Sequence, residues 1–291
     1  MREKAGSGYA REKDDVEVCL NYAARQQDVE ALLGSSFVSR ISSLKIAPSD
    51  HVGEECVIDM REAHLPNLRV LEIAYVGVAA MHFVKERTPL LRKLSIELTV
   101  IPLEYIQLDL PELTHLALEH TSITDAKGFA KSLGLCPKLE TFTSYKLRGL
   151  FVGSKAKAHK LVLPACTEMN LYRADDLDHL ALWAPRLKLI SVQACYYLKS
   201  LAMMDERPKK GFNGPAYAFE GEGSKFVVNV VNTTFGSYGD DLDLDSEEDE
   251  DDDVEGGNLS KGRKQKNTLE IFKHPRCEHV ERKEKEGGPD V

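Results

Sequence analysis

An apolar residue, two variable ones, a second apolar residue, one variable residue and a third apolar one make a unit that returns along this chain. It appears as Ile41/Leu44/Ile46, Leu68/Leu71/Ile73, Leu91/Leu94/Ile96, Leu113/Leu116/Leu118, Leu139/Phe142/Ser144, Cys166/Met169/Leu171, Leu187/Ile190/Val192 and Leu198/Leu201/Met203. Successive units begin 27, 23, 22, 26, 27, 21 and 11 residues apart. Apart from the last, these spacings suit a solenoid, whose single coil cannot bury its own apolar edge and must stack on its neighbours. The last two apolar positions of each unit alternate with variable ones, so a short strand points them inward and its neighbours outward. Stacking then makes a parallel sheet with a continuous core behind it. Ser144 interrupts the apolar pattern, and a distorted fifth unit is expected there.

Proline placement supports the register. Pro66, Pro89, Pro111, Pro137 and Pro185 each lie two residues before the first apolar residue of a unit. There a proline ends the preceding segment without removing a ladder hydrogen bond. The returns between units are of two kinds. After Ile73, Leu118 and Leu171 the apolar spacing predicts helices, over 76–85, 123–133 and 175–183, with Thr124 and Asp125 as caps of the second. After Ile46, Ile96 and Ser144 the returns read as extended, at 56–59, 105–110 and 160–163.

The segment LTHLALEHTSITD at 113–125, followed by CPKL at 136–139, resembles the cysteine-containing leucine-rich repeats of F-box proteins. LKLISVQACYYL at 187–198 is similar to the same family, with Cys195 where its Asn or Cys bonds the turning backbone. The resemblance covers roughly residues 40–205. It implies an α/β leucine-rich-repeat solenoid, with a curved parallel sheet on the concave face and mixed helical and extended returns on the convex face. The family's F-box, which recruits the ubiquitin-ligase scaffold, is not expected in residues 1–39, which are short and charged.

Four regions are expected: an N-terminal helical cap over 1–39, the solenoid over 40–205, a loop and capping strand over 206–239, and a disordered tail over 240–291, acidic and then basic. The cap is drawn from apolar residues at 16, 20, 23, 24, 29, 32 and 33, with Gly34 as terminator. The capping strand, 225–235, is rich in β-branched residues and is placed at the solenoid's open edge. The net charge of −9 is concentrated, because Asp240 to Glu255 holds twelve acids in sixteen residues and no cation. Removing those twelve charges leaves the rest of the chain at +3. Self-repulsion and scarce apolar content keep such a tract unfolded.

Several chemistries have no sequence support. There is no phosphate loop, nucleophile elbow, HExxH helix or EF-hand loop, so no catalytic residue, cofactor or small-molecule substrate is assigned. The six cysteines include no CxxC pair, and His274, Cys277 and His279 are read as solvated tail residues, so no metal site is assigned. The charged opening residues precede no apolar stretch and no window reaches the ~18 apolar residues of a membrane span, so a cytoplasmic or nuclear location without membrane contact is expected.

What the repeat does predict is a surface. The outward strand positions form three ladders on the concave sheet, spaced ~4.8 Å from coil to coil. One contains Lys93, His115 and Glu168 and ends at Ser200; the second contains Asn170 and ends at Ala202; the third sets Glu97, Glu119, Tyr145, Tyr172 and Gln193 in line and ends at Met204. Tyrosine offers a large apolar face and a hydroxyl with few rotamers to freeze, so Tyr145 and Tyr172 lead the candidate protein-binding residues. Glu97 and Glu119 beside them suit a basic or hydroxyl-bearing partner.

The expected function is therefore a non-enzymatic scaffold that binds a protein partner on its concave face, with direct nucleic-acid binding not expected. Two alternatives stand beside it. One is an acidic nuclear chaperone of basic proteins acting through the tail, which resembles the acidic leucine-rich nuclear phosphoproteins. The other is an F-box-like ubiquitin-ligase substrate adaptor.

Overall fold

Six prolines begin six identical turns. In the computed structural model, Leu68 N–H donates to Leu65 O at 3.1 Å across Pro66, and Leu91 to Thr88 does the same across Pro89. Leu113 to Leu110, Leu139 to Cys136, Cys166 to Leu163 and Leu187 to Ala184 repeat the bond across Pro111, Pro137, Pro164 and Pro185. Each proline thus holds the second position of a β-turn, where its fixed φ is already correct and no donor is lost. Each turn delivers an apolar residue to the core and the chain to a strand.

The structure describes residues 15–22, 26–48, 62–74, 86–97, 100–101, 108–150, 159–174, 177, 179–195, 198, 200–204, 226–231 and 277–283. Its elements in chain order begin with β1 (Val16–Tyr22), α1 (Gln26–Leu33), β2 (Ile41–Pro48), β3 (Val70–Ala74), β4 (Lys93–Glu97), β5 (Val100–Ile101), β6 (His115–Glu119) and β7 (Ser122–Ile123). They continue with α2 (Ala126–Leu133), β8 (Thr141–Tyr145), β9 (His159–Val162), β10 (Glu168–Tyr172), β11 (His179–Trp183), β12 (Leu189–Gln193), β13 (Ser200–Met203), β14 (Phe226–Val231) and β15 (Cys277–Lys283).

One long parallel sheet runs β1-β2-β3-β4-β6-β8-β10-β12-β14-β15. A three-stranded sheet, β13-β11-β9, and a two-stranded one, β5-β7, lie on the returns. The chain is thus a parallel β-solenoid. The ladder extends one residue ahead of the strands. Arg92 N–H donates to Arg69 O, Thr114 to Arg92, Glu140 to Thr114, Thr167 to Glu140 and Lys188 to Thr167, each at 2.8 Å.

The core lies behind the long sheet in aligned columns. Leu44, Leu71, Leu94, Leu116, Phe142, Met169, Ile190 and Val228 form one, and Ile46, Ile73, Ile96, Leu118, Leu171 and Val192 most of another. All are essentially fully buried. At ~2 kcal/mol for a buried aliphatic side chain, these columns supply much of the cohesion between coils. Ser144 occupies its place in the second column without distortion, paired with Leu118 on one side and Leu171 on the other. The expected irregularity is absent because a serine, once buried, disturbs no backbone bond.

The mixed returns are present in part. The segment 123–133 does form α2, capped by Asp125, whose Oδ1 accepts from Gly128 N at 3.0 Å. The extended segment at 160–163 forms most of β9. The helix expected over 175–183 is instead β11 across its second half, because Leu180 and Leu182 alternate and the strand pairs with β9 and β13. Segments 56–59, 76–85 and 105–107 lie outside the described residues.

The ends depart further from expectation. The N-terminal cap begins with a strand, since Val16, Val18 and Leu20 alternate with exposed Glu17 and Cys19 and the unfilled edge of β2 offers a ladder. Among the described residues α1 is the one α-helix of this region, with a short 3-10 turn at Val38–Arg40 after it, and Gly34 follows α1, with Gly34 N–H donating to Glu30 O at 2.9 Å.

The eighth unit does not continue the long sheet. Eleven residues cannot close a coil, and β13 joins the returns beside β11. Ser200, Ala202 and Met204 therefore leave the ladders, and Val227, Asn229 and Val231 of β14 take their places. Nor does β14 close the edge, because β15 covers it in parallel register. Residues 277–283 are thus a strand, not tail, and Cys277 and His279 pair with Phe226 and Val227. The tract 240–255 and His274 lie outside the described residues.

Candidate interaction face

Among the described residues, strand alternation leaves one side of the long sheet without an apolar core. Register places Lys93, His115, Thr141, Glu168 and Leu189 on one ladder of that face. Ser95, Ala117, Thr143, Asn170 and Ser191 form the next. Glu97, Glu119, Tyr145, Tyr172 and Gln193 form the third. All nine candidate residues thus share one face, across β4, β6, β8, β10 and β12.

They are not equally available. Lys93 Nζ lies 2.9 Å from Glu72 Oε1, and Lys45 Nζ 3.7 Å from its other oxygen, so three strands are tied by one carboxylate between two cations. The hydrogen bond from Lys93 holds the Glu72 carboxyl below the ordinary range against partial burial, with the charges of Lys93 and Lys45 assisting. Lys93 is a bracing group first. His115 is exposed, with Thr114 Oγ1 2.8 Å from its Nδ1.

Asn170 Nδ2 donates to Glu168 Oε1 at 2.8 Å, and both Asn170 and Ser191 are buried although strand parity turns them away from the core. The middle ladder at this end is a floor, flanked by the half-buried Tyr172 and Gln193.

The third ladder carries the distinctive chemistry. Glu97 and Glu119 are direct cross-strand partners, so two carboxylates stand side by side and favour a cation between them. Tyr145 comes next, and its ring has His120 at a centroid distance of 5.0 Å and Lys146 Nζ 5.5 Å from its centre. A cation so placed is attracted to the ring face. Tyr172 and Gln193 complete the row, half-buried.

The sequence reading missed the corner beside this row. His120, Lys146, Arg173 and Ala194 each follow a strand directly, and each has a positive φ, between 48° and 52°. The strain of ~1–3 kcal/mol at each is sustained because the backbone N–H continues the ladder. His120 donates to Tyr145 O at 2.7 Å, Lys146 to Tyr172 O at 2.9 Å and Arg173 to Gln193 O at 2.8 Å. None of the four is Gly or Asn, so the only available signal was the repeat register.

One residue beyond the corner, Thr121 and Cys195 make the same side-chain bond. Thr121 Oγ1 donates to Glu119 O at 2.9 Å and Ile96 O at 3.3 Å, and Cys195 Sγ to Gln193 O at 3.5 Å and Leu171 O at 3.6 Å. The turning backbone is bonded by Cys195 as its position in the repeat implied.

Elsewhere, burial pushes the thiols of Cys136 and Cys166 up to about 12, well outside the range of a nucleophile at neutral pH. Among the described residues there is no group of three or more His, Cys, Asp or Glu placed to hold a metal ion, and no helix long and apolar enough to cross a membrane. No family model, curated protein or solved structure matches the chain. The class is set by the architecture itself: a repeat protein built as a parallel-strand solenoid.

Proposed function

We propose that this chain is a leucine-rich-repeat interaction scaffold, non-enzymatic, that grips a protein partner on the open face of its long sheet. The leucine-rich assignment draws support from the coil length, from Leu68, Leu91, Leu113, Leu139 and Leu187 at the head of five coils, with Cys166 heading the coil between the last two, and from the shared bonding of Thr121 and Cys195. One observation carries the binding reading: Glu97, Glu119, Tyr145, Tyr172 and Gln193 lie in a single in-register row on a face without core.

A basic or hydroxyl-bearing segment of the partner fits this row, its cation at the glutamates and its apolar part on the tyrosines. A specific contact of this kind covers ~800 Å² on each partner.

The test is to capture partners from extract, then remeasure the affinity of each purified partner for Tyr145→Ala and Tyr172→Ala chains. Loss of ~2 kcal/mol at either tyrosine, about thirtyfold in affinity, is the expected result. Unchanged affinity in both variants overturns the reading. Repeating the measurement on a chain lacking 240–255 tests the chaperone alternative, which requires binding to vanish with the tract.

A further inference from the structure

In three consecutive coils the strained corner residue is basic, as His120, Lys146 and Arg173. Glycine or asparagine adopts this conformation at least cost, so backbone geometry does not favour these side chains. Arg148, exposed two residues beyond Lys146, adds a cation to the same corner. The structure therefore carries a basic strip along one side of the sheet, beside Tyr145 and Tyr172.

Because the sheet is parallel, every strand delivers its C-terminal end to that side. Val231, the last residue of β14, pairs with Gln193, Gln193 with Tyr172, and Tyr172 with Tyr145. The chain leaves β14 about 10 Å, two strand spacings, from the Arg173 corner, and about 19 Å from that of His120. It rejoins the sheet at Cys277. Nine residues after Val231 begins the stretch of twelve acids in sixteen, Asp240 to Glu255. Nine residues reach up to ~30 Å, so the whole strip is within range.

We propose that the acidic tract 240–255 docks on the basic corner strip of its own chain. Exposed ion pairs contribute only ~0.2–1 kcal/mol each, so a few of them bind a free peptide weakly. Tethering raises the effective concentration to the millimolar range, which suffices to keep such a contact occupied. The contact weakens with salt, since exposed charges are screened. It needs no outside partner and stands apart from the reading of the open face.

The experiment uses a labelled peptide of residues 240–255, titrated by fluorescence anisotropy into the full chain and into a chain lacking that tract. At low salt, about 0.05 M, the deleted chain is expected to bind the peptide at least tenfold more tightly than the full chain, with binding lost at about 0.3 M. Equal binding to both chains overturns the proposal, as does undiminished binding by the deleted chain carrying Lys146→Glu and Arg148→Glu.

Carbodiimide coupling of the full chain gives a readout that needs no variant. Amide links between Lys146 and carboxylates of 240–255 are expected, and links from the tract to other lysines alone overturn the proposal. Neither measurement involves the partner tested with Tyr145→Ala and Tyr172→Ala, so the two readings fail separately.

Discussion

Ser144 is the one interruption of the second core column, and it tests the account of that column directly. Its side chain is fully buried between Leu118 and Leu171, and its Oγ has no hydrogen-bond partner among the described residues. A buried hydroxyl without a partner costs ~1–3 kcal/mol of desolvation that nothing returns. Ser144→Ala removes that oxygen, adds no bulk and leaves the backbone ladder intact. The gain is offset by a small loss of packing, so a net stabilisation of ~1 kcal/mol is expected. In urea, with a slope of ~1–3 kcal/mol/M, the midpoint rises by ~0.3–1 M at unchanged slope. Thr143→Ala is the control, because Thr143 is half-buried on the opposite side of the same strand and its replacement should fall within ~0.5 kcal/mol of the parent. A midpoint that falls in Ser144→Ala means the hydroxyl is bonded, and the reasoning from an unsatisfied buried oxygen would then be wrong.

Three further predictions concern the returns and the thiols. Gly149 has φ +79° and a Cβ there would stand 2.1 Å from Ile123 O, so Gly149→Ala should lower stability by at least ~2 kcal/mol, seen as a fall in melting temperature. Burial pushes the thiols of Cys136 and Cys166 up to about 12 in the folded state, above the ordinary thiol range. The folded state therefore holds protons that the unfolded state releases. Stability from these thiols is fully present below pH ~9 and is lost as pH rises from there towards ~12, which urea midpoints at a series of pH values will show. At pH 8 the same two thiols should resist alkylation while exposed Cys19 reacts, as peptide mapping by mass spectrometry will report.

What the sequence made legible was whatever the repeat constrains. The order of strands β2, β3, β4, β6, β8, β10 and β12, their register and the parity of every candidate residue follow from the apolar spacing, because a slip by one would turn Glu119 into the core and Leu118 out of it. The ends were not legible for the same reason. Val16 to Tyr22 satisfies both a helical and an alternating pattern, and the free edge of β2 decides between them. The segment 179–183 is similar, since Leu180 and Leu182 become a strand only because β9 already lies alongside. At the corner, His120, Lys146 and Arg173 carry no sequence mark of positive φ; the conformation is imposed by the ladder bonds that their N–H groups make to the next coil. Within the face, the sequence could place Lys93 but not show that Glu72 restrains it, since that contact depends on rotamers of long side chains.

The outermost strand invites the last prediction. A parallel solenoid ends in a strand with unpaired N–H and C=O groups, an edge that templates pairing with another chain. β14 would be a poor terminus, because Phe226, Val227, Val228, Val230 and Val231 make it strongly β-forming with Asn229 as the lone polar residue. β15 covers it, and four of its seven residues are charged in sequence, Glu278, Glu281, Arg282 and Lys283, a composition of the kind that resists further pairing. Removing residues 277–291 should therefore uncover β14 and drive self-association, with a mass above one chain in multi-angle light scattering that increases with concentration. Val227→Lys makes the comparison decisive. It places a charge on the half-buried, outward side of β14, level with Leu189 and away from the core, so in the truncated chain it should restore a monomer. A truncated chain that stays monomeric without that substitution would show that β15 is not what protects the edge.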